Sequence, residues 1–327
     1  MSDLVIGIDG GNSKTDVVLA TAAGDVLARV RGKGTRSYQD GMTVTIDNLS
    51  DLIRDVKSQA GLADEPVAAV AYFLANLDTP ADEESARAVI DEHALTSRSI
   101  VHNDTFAILH AGAPDGWGVA VVCGAGINAT GVHWDGRIAR FLALGDMSGD
   151  WGGGEGVAMA GIGQAVRAGD GRGPATSLRE RLAAHFDIPT VEDLAVALIE
   201  NRISPHALHA AAPVVFAAAV DGDEVATSIV HRLADEIVVM VMALLRRLEL
   251  VDDRVPIVLG GGTLQLGPAM LIDRINDGLA ELAPKAYTQV LDVPPVAGAV
   301  LHAMAAVGAD PAARERARGW FKDWSRD

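Results

Sequence analysis

The first 33 residues alternate between apolar runs and short polar turns, a pattern typical of a β-hairpin followed by a third strand. We predict strands over 4–8 and 14–21, a glycine turn between them, and a further strand from Val26. The turn lacks the pattern of a Walker phosphate loop, because Ser13 precedes Lys14 where glycine is needed and a strand follows where a helix is needed. Glycines here let backbone amides approach a ligand closely, although an ordinary tight turn has the same composition.

The rest of the chain alternates between buried strands and amphipathic helices. We predict a helix over 43–60, strands over 66–74 and 99–102, and a long apolar-striped helix over 224–248 before a strand at 255–259. An antiparallel start followed by alternating strands and helices indicates a mixed sheet with covered faces. The predicted fold class is therefore α/β.

The stretch 119–141 repeats the pattern of the opening hairpin. Gly124-Ala125-Gly126 stands where the first hairpin has Asp9-Gly10-Gly11, and Asn128 falls near the position of Ser13. Two hairpins of one pattern predict two lobes of one topology. Two glycine turns that face each other across a cleft could hold a triphosphate from both sides.

Length, charge and cysteine count narrow the class of protein. A chain of 327 residues is long enough for two domains; we predict lobes over 1–115 and 116–296, and C-terminal helices over 297–327 that pack back on the first lobe. The net charge of −17 argues against a nucleic-acid partner. We find no apolar run of transmembrane length and no signal pattern, and the single cysteine, Cys123, excludes an internal disulfide, so we expect a cytoplasmic protein without a membrane partner.

Two aspartates directly follow predicted strands. Phosphate would repel Asp9 beside the glycine turn unless a cation stands between them, so we expect Asp9 to act through Mg²⁺; the alternative is a turn-capping aspartate. Asp104 lies between a strand and a helix. A carboxylate at the carboxyl edge of a sheet is placed to accept the proton of a sugar hydroxyl during phosphoryl transfer; the alternative is a helix cap.

Two further glycine-rich stretches are candidate binding segments. Residues 145–156, GDMSGDWGGGEG, combine helix-averse residues with three carboxylates and a tryptophan. We predict a rigid polar loop with an aromatic plate, suited to a small polyhydroxylated ligand. Gly260-Gly261-Gly262-Thr263 lacks the spacing of a dinucleotide fingerprint and is interpreted as a flat surface under an adenine.

In this order the motifs resemble the five signatures of the actin-like superfamily of sugar kinases and heat-shock ATPases. More closely, IDGGNSKT over 8–15, Asn103-Asp104, GAGIN over 124–128 and GGG over 260–262 are similar to the BadF/BadG/BcrA/BcrD ATPase family, which includes N-acetylglucosamine kinases. The resemblance covers nearly the whole chain. It implies two ribonuclease-H-like lobes that close on MgATP at an interlobe cleft, and it leaves a homodimer open, since relatives are often dimers.

The resemblance also implies a role for individual residues. Asp104 would be the catalytic base, and Asp9 would act through Mg²⁺. The ATP-binding residues would be Gly10, Gly11, Asn12, Ser13, Lys14, Thr15, Gly124, Ala125, Gly126, Gly260, Gly261, Gly262 and Thr263. The sugar-binding residues would be Asn103, Asp104, Asn128, Asp146, Asp150, Trp151 and Glu155. The family's activator ATPases hold an iron–sulfur cluster through cysteines that this chain lacks.

The chain departs from the N-acetylglucosamine kinases at two sugar-site motifs. Their G-x-x-N segment corresponds to Gly34-Thr35-Arg36-Ser37, and their G-W-G-x-x-x-G-D-E-G segment corresponds to residues 149–156. A free amine at carbon 2 is largely ammonium near neutral pH and favours carboxylates, which Asp146, Asp150 and Glu155 supply.

This arrangement resembles the actinobacterial glucosamine kinases of the family. The expected activity is therefore ATP-dependent phosphorylation of the 6-hydroxyl of D-glucosamine. The alternatives are an N-acetylglucosamine or other hexose kinase and, less favoured because no helix-turn-helix precedes the first strand, a sugar sensor.

Overall fold

The computed structural model of the chain describes residues 3–96 and 98–324. Its strands and helices follow the predicted order, with bounds that differ by a few residues. The strands are β1 (Leu4–Gly10), β2 (Lys14–Thr21), β3 (Val26–Lys33), β4 (Ala69–Leu74), β5 (Ser99–Asn103), β6 (Gly118–Cys123), β7 (Ile127–Val132), β8 (Ile138–Arg140), β9 (Pro256–Gly260) and β10 (Tyr287–Val290). The helices are α1 (Ser37–Asp40), α2 (Met42–Gln59), α3 (Pro80–His93), α4 (Thr105–Gly112), α5 (Gly153–Gly169), α6 (Leu178–His185), α7 (Val191–Ile199), α8 (Ala212–Val220), α9 (Glu224–Arg247), α10 (Gly262–Gln265), α11 (Ala269–Leu282), α12 (Val296–Ala306) and α13 (Pro311–Trp324). Two 3₁₀ turns cover Gly145–Met147 and Pro205–Ala211.

The strands form two five-stranded sheets of the same order. The first sheet has the order β3-β2-β1-β4-β5, and the second, taken from the opposite edge, has the order β8-β7-β6-β9-β10. Each strand of the second sheet thus occupies the place of the strand five positions earlier in the chain. The predicted repeat of one topology, and the predicted α/β class, are confirmed.

The first sheet is mixed, and this sets the position of the candidate site. β1 pairs antiparallel with β2, which pairs antiparallel with β3, whereas β1, β4 and β5 run parallel. In this register Gly10 lies beside Leu74, and Leu74 lies beside Asn103. The carboxyl ends of the three parallel strands therefore meet at one edge of the sheet, where α/β proteins gather binding groups.

The chain forms two compact units. The first comprises Met1–Ala120, Thr130–Leu142 and Gln289–Asp327, and the second comprises Val121–Ala129 and Ala143–Thr288. The bounds inferred from sequence, with breaks after 115 and 296, stay a prediction.

The first unit includes the last helices of the chain, because α12 packs against β1, β4 and α4. A Cβ atom at Gly7 would lie 2.4 Å from the nitrogen of Val300, and one at Gly298 would lie 1.9 Å from the carbonyl oxygen of Ala107. These glycines let α12 reach backbone contact with β1 and α4. A helix from the end of the chain thereby covers one face of the first sheet.

The second unit is built around the long helix α9. Its buried residues recur at the spacing of a helix face, as at Ile229, Leu233, Ile237 and Val241, and this face packs against α5, α8 and α11. Among the described residues, no helix combines the length and the hydropathy that crossing a bilayer requires.

The stretch 145–156 is only partly the loop that its composition predicts. Helix α5 begins at Gly153, so the last four residues of the stretch are helical. Gly153 has a φ of 69°, and a Cβ there would lie 2.3 Å from the carbonyl oxygen of Ala125. This close approach to the turn at Ala125, together with the positive φ, requires glycine at the first position of the helix.

Candidate active site

Asp9 and Asp104 lie at the shared edge of the first sheet. Asp9 is near the end of β1, Asp104 directly follows β5, and β4 separates the two strands. Burial, and then the charges of Asp104 and Asp16, raise the pKa of Asp9 to about 8, and burial raises the pKa of Asp104 to about 6. Two carboxylates are thus held in a poorly solvated place that disfavours their negative charge.

The side chain of Asp104 does not cap the helix that it precedes. Asp104 stands at the N-cap position of α4, yet its carboxylate makes no capping hydrogen bond. Its backbone N–H donates to the carbonyl oxygen of Leu74 at 3.1 Å. The helix-cap interpretation thus lacks its characteristic hydrogen bond, and a catalytic role for Asp104 stays a prediction.

A chain of buried hydrogen bonds fixes the residues on either side of Asp104. The amide of Asn103 donates to Asp78 at 3.0 Å, and its oxygen accepts from the N–H and the hydroxyl of Thr105 at 3.0 and 2.7 Å. The hydroxyls of Thr105 and Thr130 are 2.7 Å apart. These hydrogen bonds therefore fix Asn103 and Thr105, the two residues that flank Asp104. A direct contact of Asn103 with sugar stays a prediction.

Glu83 anchors the end of β5 from a neighbouring helix. Its carboxylate accepts from the guanidinium of Arg140 at 2.7 Å and from the backbone N–H of Asn103 at 3.3 Å, and it lies 3.3 Å from the ring of His102. Burial raises the pKa of Glu83, but the hydrogen bonds from His102 and Arg140 outweigh it and leave the pKa below its ordinary value. The ionised carboxylate thereby holds the strand that carries Asp104.

Long-range hydrogen bonds hold the turn after β1. The hydroxyl of Thr35 donates to the carbonyl oxygen of Gly10 at 2.6 Å, and the amide of Asn76 donates to the side-chain oxygen of Asn12 at 2.8 Å. Residues 12–14 of the turn are exposed. The turn is thus fixed from one side and open to a ligand on the other.

Two residues predicted to bind ATP have other partners within the first sheet. The ammonium of Lys14 lies 3.3 Å from the buried carboxylate of Asp16, which also accepts two hydrogen bonds from Arg31. Thr15 is fully buried, and its hydroxyl donates to the carbonyl oxygen of Lys33 at 2.7 Å. The side chain of Thr15 therefore joins β2 to β3, and Lys14 shares its charge with Asp16.

In the second unit, the turn 124–126 packs on the N-terminus of α5. The N–H groups of Gly154 and Glu155 donate to the carbonyl oxygens of Gly124 and Ala125 at 2.8 and 3.0 Å. A Cβ atom at Gly124 or Gly126 would meet no atom within 4 Å. Packing does not require glycine at these two positions, so their missing side chains leave open space beside the turn, as a bound phosphate would need.

The glycine run 260–262 adjoins the same turn. The hydroxyl of Thr263 donates to the carbonyl oxygen of Gly124 at 2.9 Å. Gly261 has a φ of 93°, and a Cβ there would lie 2.4 Å from the carbonyl oxygen of Cys123, whereas a Cβ at Gly262 would meet nothing within 4 Å. Gly261 is required by close packing, and Gly262 leaves room for a ligand.

Two side chains of the acidic stretch, Asp150 and Trp151, already contact other residues of the protein. The hydroxyl of Ser148 donates to Asp150, and the guanidinium of Arg232 stacks 3.8 Å from the centre of the Trp151 ring. Asp146 and Glu155 are exposed. One face of the predicted aromatic plate is therefore covered by a cation, and a ligand could use only the other face.

Asn128 makes a local backbone contact. Its side-chain oxygen accepts from the N–H of Ala129 at 2.7 Å. The structure thus brings Asn128, the turn 124–126, the run 260–263 and the acidic stretch into one unit, and brings Asp9, the turn 10–15 and Asn103-Asp104 into the other.

A family model agrees with this set of motifs. The model of the BadF/BadG/BcrA/BcrD ATPase family matches residues 6–305. The chain belongs to this family. The match spans both sheets and every predicted site residue.

Relatives of this family member include named sugar kinases. The chain is 27% identical over 261 residues to an N-acetylmuramic acid/N-acetylglucosamine kinase from Clostridium acetobutylicum, covering 80% of this chain and 85% of that protein. It is 25% identical over 315 residues to an N-acetyl-D-glucosamine kinase from Dictyostelium discoideum, covering 92% and 98%.

The fold is also that of a solved structure. The crystal structure of a candidate N-acetylglucosamine kinase from Chromobacterium violaceum matches 93% of this chain and 99% of that one, with a TM-score of 0.70 and 22% sequence identity. This likeness supports the two-lobed fold of the family.

The donor set of this ATPase-family chain fits a magnesium ion. Among the described residues, no three His, Cys, Asp or Glu side chains form a cluster of metal ligands. Mg²⁺ in nucleotide sites is ordinarily held by one or two carboxylates together with phosphate oxygens and water. Asp9 is such a carboxylate, and its raised pKa means that a nearby cation would relieve an unfavourable charge.

Sequence reasoning did not identify the residues that support this site. Thr35 and Asn76 hold the first turn, while Asp78, Glu83 and Thr130 hold the residues around Asp104. Each of these residues lies outside any recognisable sequence motif and contacts its partner only in the folded structure. Gly34-Thr35 was the one available signal, since it stands at the family's G-x-x-N segment.

Proposed function

We propose that the protein is an ATP-dependent sugar kinase that transfers the γ-phosphoryl group of ATP to the 6-hydroxyl of D-glucosamine. The observation that carries the kinase proposal is the carboxylate of Asp104, which makes no capping hydrogen bond and lies at the same sheet edge as Asp9 and the turn 10–14. Membership of an ATPase family supports ATP as the phosphoryl donor.

In this proposal Asp104 is the general base. With a pKa of about 6, its carboxylate is mostly ionised near neutral pH yet retains enough basicity to accept a hydroxyl proton as the phosphoryl group transfers. The hydrogen bonds of Asn103 and Thr105 hold Asp104 in position. Asp9 would hold Mg²⁺, which when bound neutralises charge on the phosphate oxygens.

The backbone of each glycine turn is a candidate contact for phosphate within its own unit. The exposed residues 12–14 belong to the first unit, and the open positions at Gly124 and Gly126 belong to the second. Gly262 would leave room for the nucleoside. The openness of these positions and the family's ATPase motifs support this assignment.

The variant Asp104→Asn tests the catalytic assignment. Loss of a general base lowers turnover by about 100-fold or more, so we expect a fall of that size in kcat with a smaller change in KM. Asp55→Asn, which makes the same change at an exposed position of α2, is the control and should retain activity. Turnover within a few-fold of wild type in Asp104→Asn would remove Asp104 as the base.

The choice of glucosamine depends on the acidic stretch. Asp146, Asp150 and Glu155 supply carboxylates for the ammonium group, and a charge-assisted hydrogen bond is worth about 1.5–3 kcal/mol. If Asp150 or Glu155 binds the amine, the variant that removes that carboxylate, Asp150→Asn or Glu155→Gln, should raise the KM for glucosamine by ~10-fold or more. The KM for an uncharged sugar should change little.

N-acetylglucosamine is the second candidate substrate, and the named relatives favour it. ADP release should therefore be measured with glucosamine, N-acetylglucosamine and glucose at equal concentrations. A preference for glucosamine supports the ammonium site. A preference for N-acetylglucosamine would mean that the acidic stretch accepts an acetyl group, and the glucosamine assignment would be wrong while the kinase assignment stands.

A further inference from the structure

The first unit contains a cavity of about 460 Å³ at the C-terminal end of α4. Asp104 precedes the N-terminal end of this helix, whereas His110, near its other end, lines the cavity. The remaining walls come from the turn at 114–116, from α12 and from α13. This volume is within the range of small-molecule sites, and none of the residues assigned above to ATP or sugar lines it.

An arginine that lines this cavity has a guanidinium nitrogen without a hydrogen-bond partner among the described residues. Arg314 lines the cavity, and its Nε is buried without a hydrogen-bond partner among the described residues. A buried donor that is left unsatisfied is unfavourable, more so on a charged group. Because this nitrogen has no accessible surface, a ligand would bind the charged guanidinium from the cavity side rather than Nε itself, and an anion there would stabilise that charge.

The other charged groups at the cavity do not neutralise Arg314. Asp115 and Glu315 line the cavity as exposed residues, and neither forms an ion pair with Arg314 within 4 Å in the described part of the chain. Arg318 is already paired, since it donates to Asp292 and to the carbonyl oxygen of Ala111. Arg314 is therefore the cation available to a ligand. The two acidic groups are exposed, and the high dielectric constant of water weakens their repulsion of an anion.

Apolar and aromatic surface lies beside this cation. The rings of His110 and His302 have centroids 4.0 Å apart, and both rings contact Phe73. Burial is the main cause that lowers the pKa of each imidazole, so both rings are neutral at pH 7. Together with Leu301 they form a wall that is suited to an uncharged, flat or aliphatic body.

We propose that this cavity binds a small organic anion whose carboxylate or phosphate group pairs with Arg314 and whose apolar body lies against His302 and Leu301. The two charged groups share one chemistry, since each offers acceptor oxygens to a guanidinium. The site would be a second ligand site of the protein, separate from the residues assigned to ATP and sugar.

Isothermal titration of the full chain with benzoate and with phenyl phosphate tests this proposal. Saturating ADP and Mg²⁺ are present, so that a nucleotide site, if formed, is already filled. We expect one equivalent of one or both probes to bind with a Kd of ~1 mM or below. Benzyl alcohol, which has a similar body without the charge, should bind at least ~10-fold more weakly.

Two variants and a control identify the site. Arg314→Gln should lower the affinity for the bound probe about 10- to 100-fold, the range of one charge-assisted hydrogen bond. Arg316→Gln is the matched control, since it removes the same charge from the same helix at an exposed residue that donates to the carbonyl oxygen of Ala23. Ala305→Phe fills the exposed mouth of the cavity and should also abolish binding.

Three results would overturn the proposal. The first is that neither probe binds in this range. The second is that Arg314→Gln and Arg316→Gln bind equally well. The third is that binding survives Ala305→Phe. Thermal unfolding of each variant distinguishes a lost site from a lost fold, because an intact variant keeps a cooperative transition near that of the wild type.

Discussion

The close contact between α12 and α4 predicts that the substitution of glycine by alanine has opposite effects on stability at two positions. Gly298 in α12 and Gly319 in α13 are both helical glycines without a positive φ. A Cβ at Gly298 would lie 1.9 Å from the carbonyl oxygen of Ala107 and 2.7 Å from the nitrogen of Ala111, whereas one at Gly319 would meet nothing within 4 Å. The same substitution by alanine should therefore destabilise one position and stabilise the other.

The distances set the size of each effect. To reach an ordinary 3.4 Å contact, the two helices must move apart by about 1.5 Å at Gly298, and backbone atoms cannot rotate away as a flexible side chain would. Overpacking of this kind costs about 1–3 kcal/mol, and we expect the upper end of that range. At Gly319 the gain in helix propensity is about 1 kcal/mol.

Thermal unfolding and turnover measure the two consequences. For a unit of about 170 residues, 1 kcal/mol shifts Tm by about 2–4 °C; Gly298→Ala should lose about 6–12 °C and Gly319→Ala should gain about 2–4 °C. Because Ala107 lies within one turn of Asp104, kcat should also fall in Gly298→Ala. Equal Tm values for the two variants would refute the close contact of α12 with α4.

Two further predictions concern the glycine turn and the histidine pair. Gly126→Ala adds a methyl group where only a ligand would meet it, so the KM for ATP should rise ~10-fold or more with an unchanged Tm, while Gly163→Ala, equally open but within α5, should alter neither; an unchanged KM would separate Gly126 from the nucleotide. Burial first, and then the charge of the neighbouring His102, lower the pKa of His302 to about 4, against about 6.5 in an unfolded chain. The stability that the neutral His302 ring contributes is therefore complete above pH 6.5 and is lost as the pH falls towards 4. Over that interval the unfolded chain binds a proton at this histidine that the folded chain does not bind. Since the raised pKa of Asp9 acts in the opposite direction, the measurement is the difference in unfolding free energy between wild type and His302→Gln from pH 7.5 to 5.5; a pH-independent difference would contradict the buried neutral ring.

The order of the strands could be predicted from sequence because its signals are local. Apolar alternation gave the hairpin at 4–21, and its repetition at 119–141 gave the second sheet. The position of Asp104 at the sheet edge could be predicted as well, since a residue that directly follows a strand of a parallel sheet lies at its carboxyl edge. These inferences need only neighbours in sequence.

The support of the site could not be predicted in the same way. Asn76 reaches Asn12 across 64 residues, and Thr130 reaches Thr105 across 25. Gly153 suggested a loop, yet helix α5 begins there, and glycine is needed at this position because the carbonyl oxygen of Ala125 lies where a side chain would be. Contacts that depend on tertiary proximity leave no pattern in one sequence.

Helix α12, near the end of the chain, packs on strand β1 near its start, and this affects the protein while it is being synthesised on the ribosome. Gly7 is made early, yet the backbone that packs on it, at Val300, leaves the ribosome almost 300 residues later. At about 5–20 residues per second, this delay is roughly 15–60 s. During that time one face of a largely apolar sheet has no helix α12 to cover it, so the nascent protein presents a surface that chaperones bind, and a chain that stops before α12 would leave that face bare.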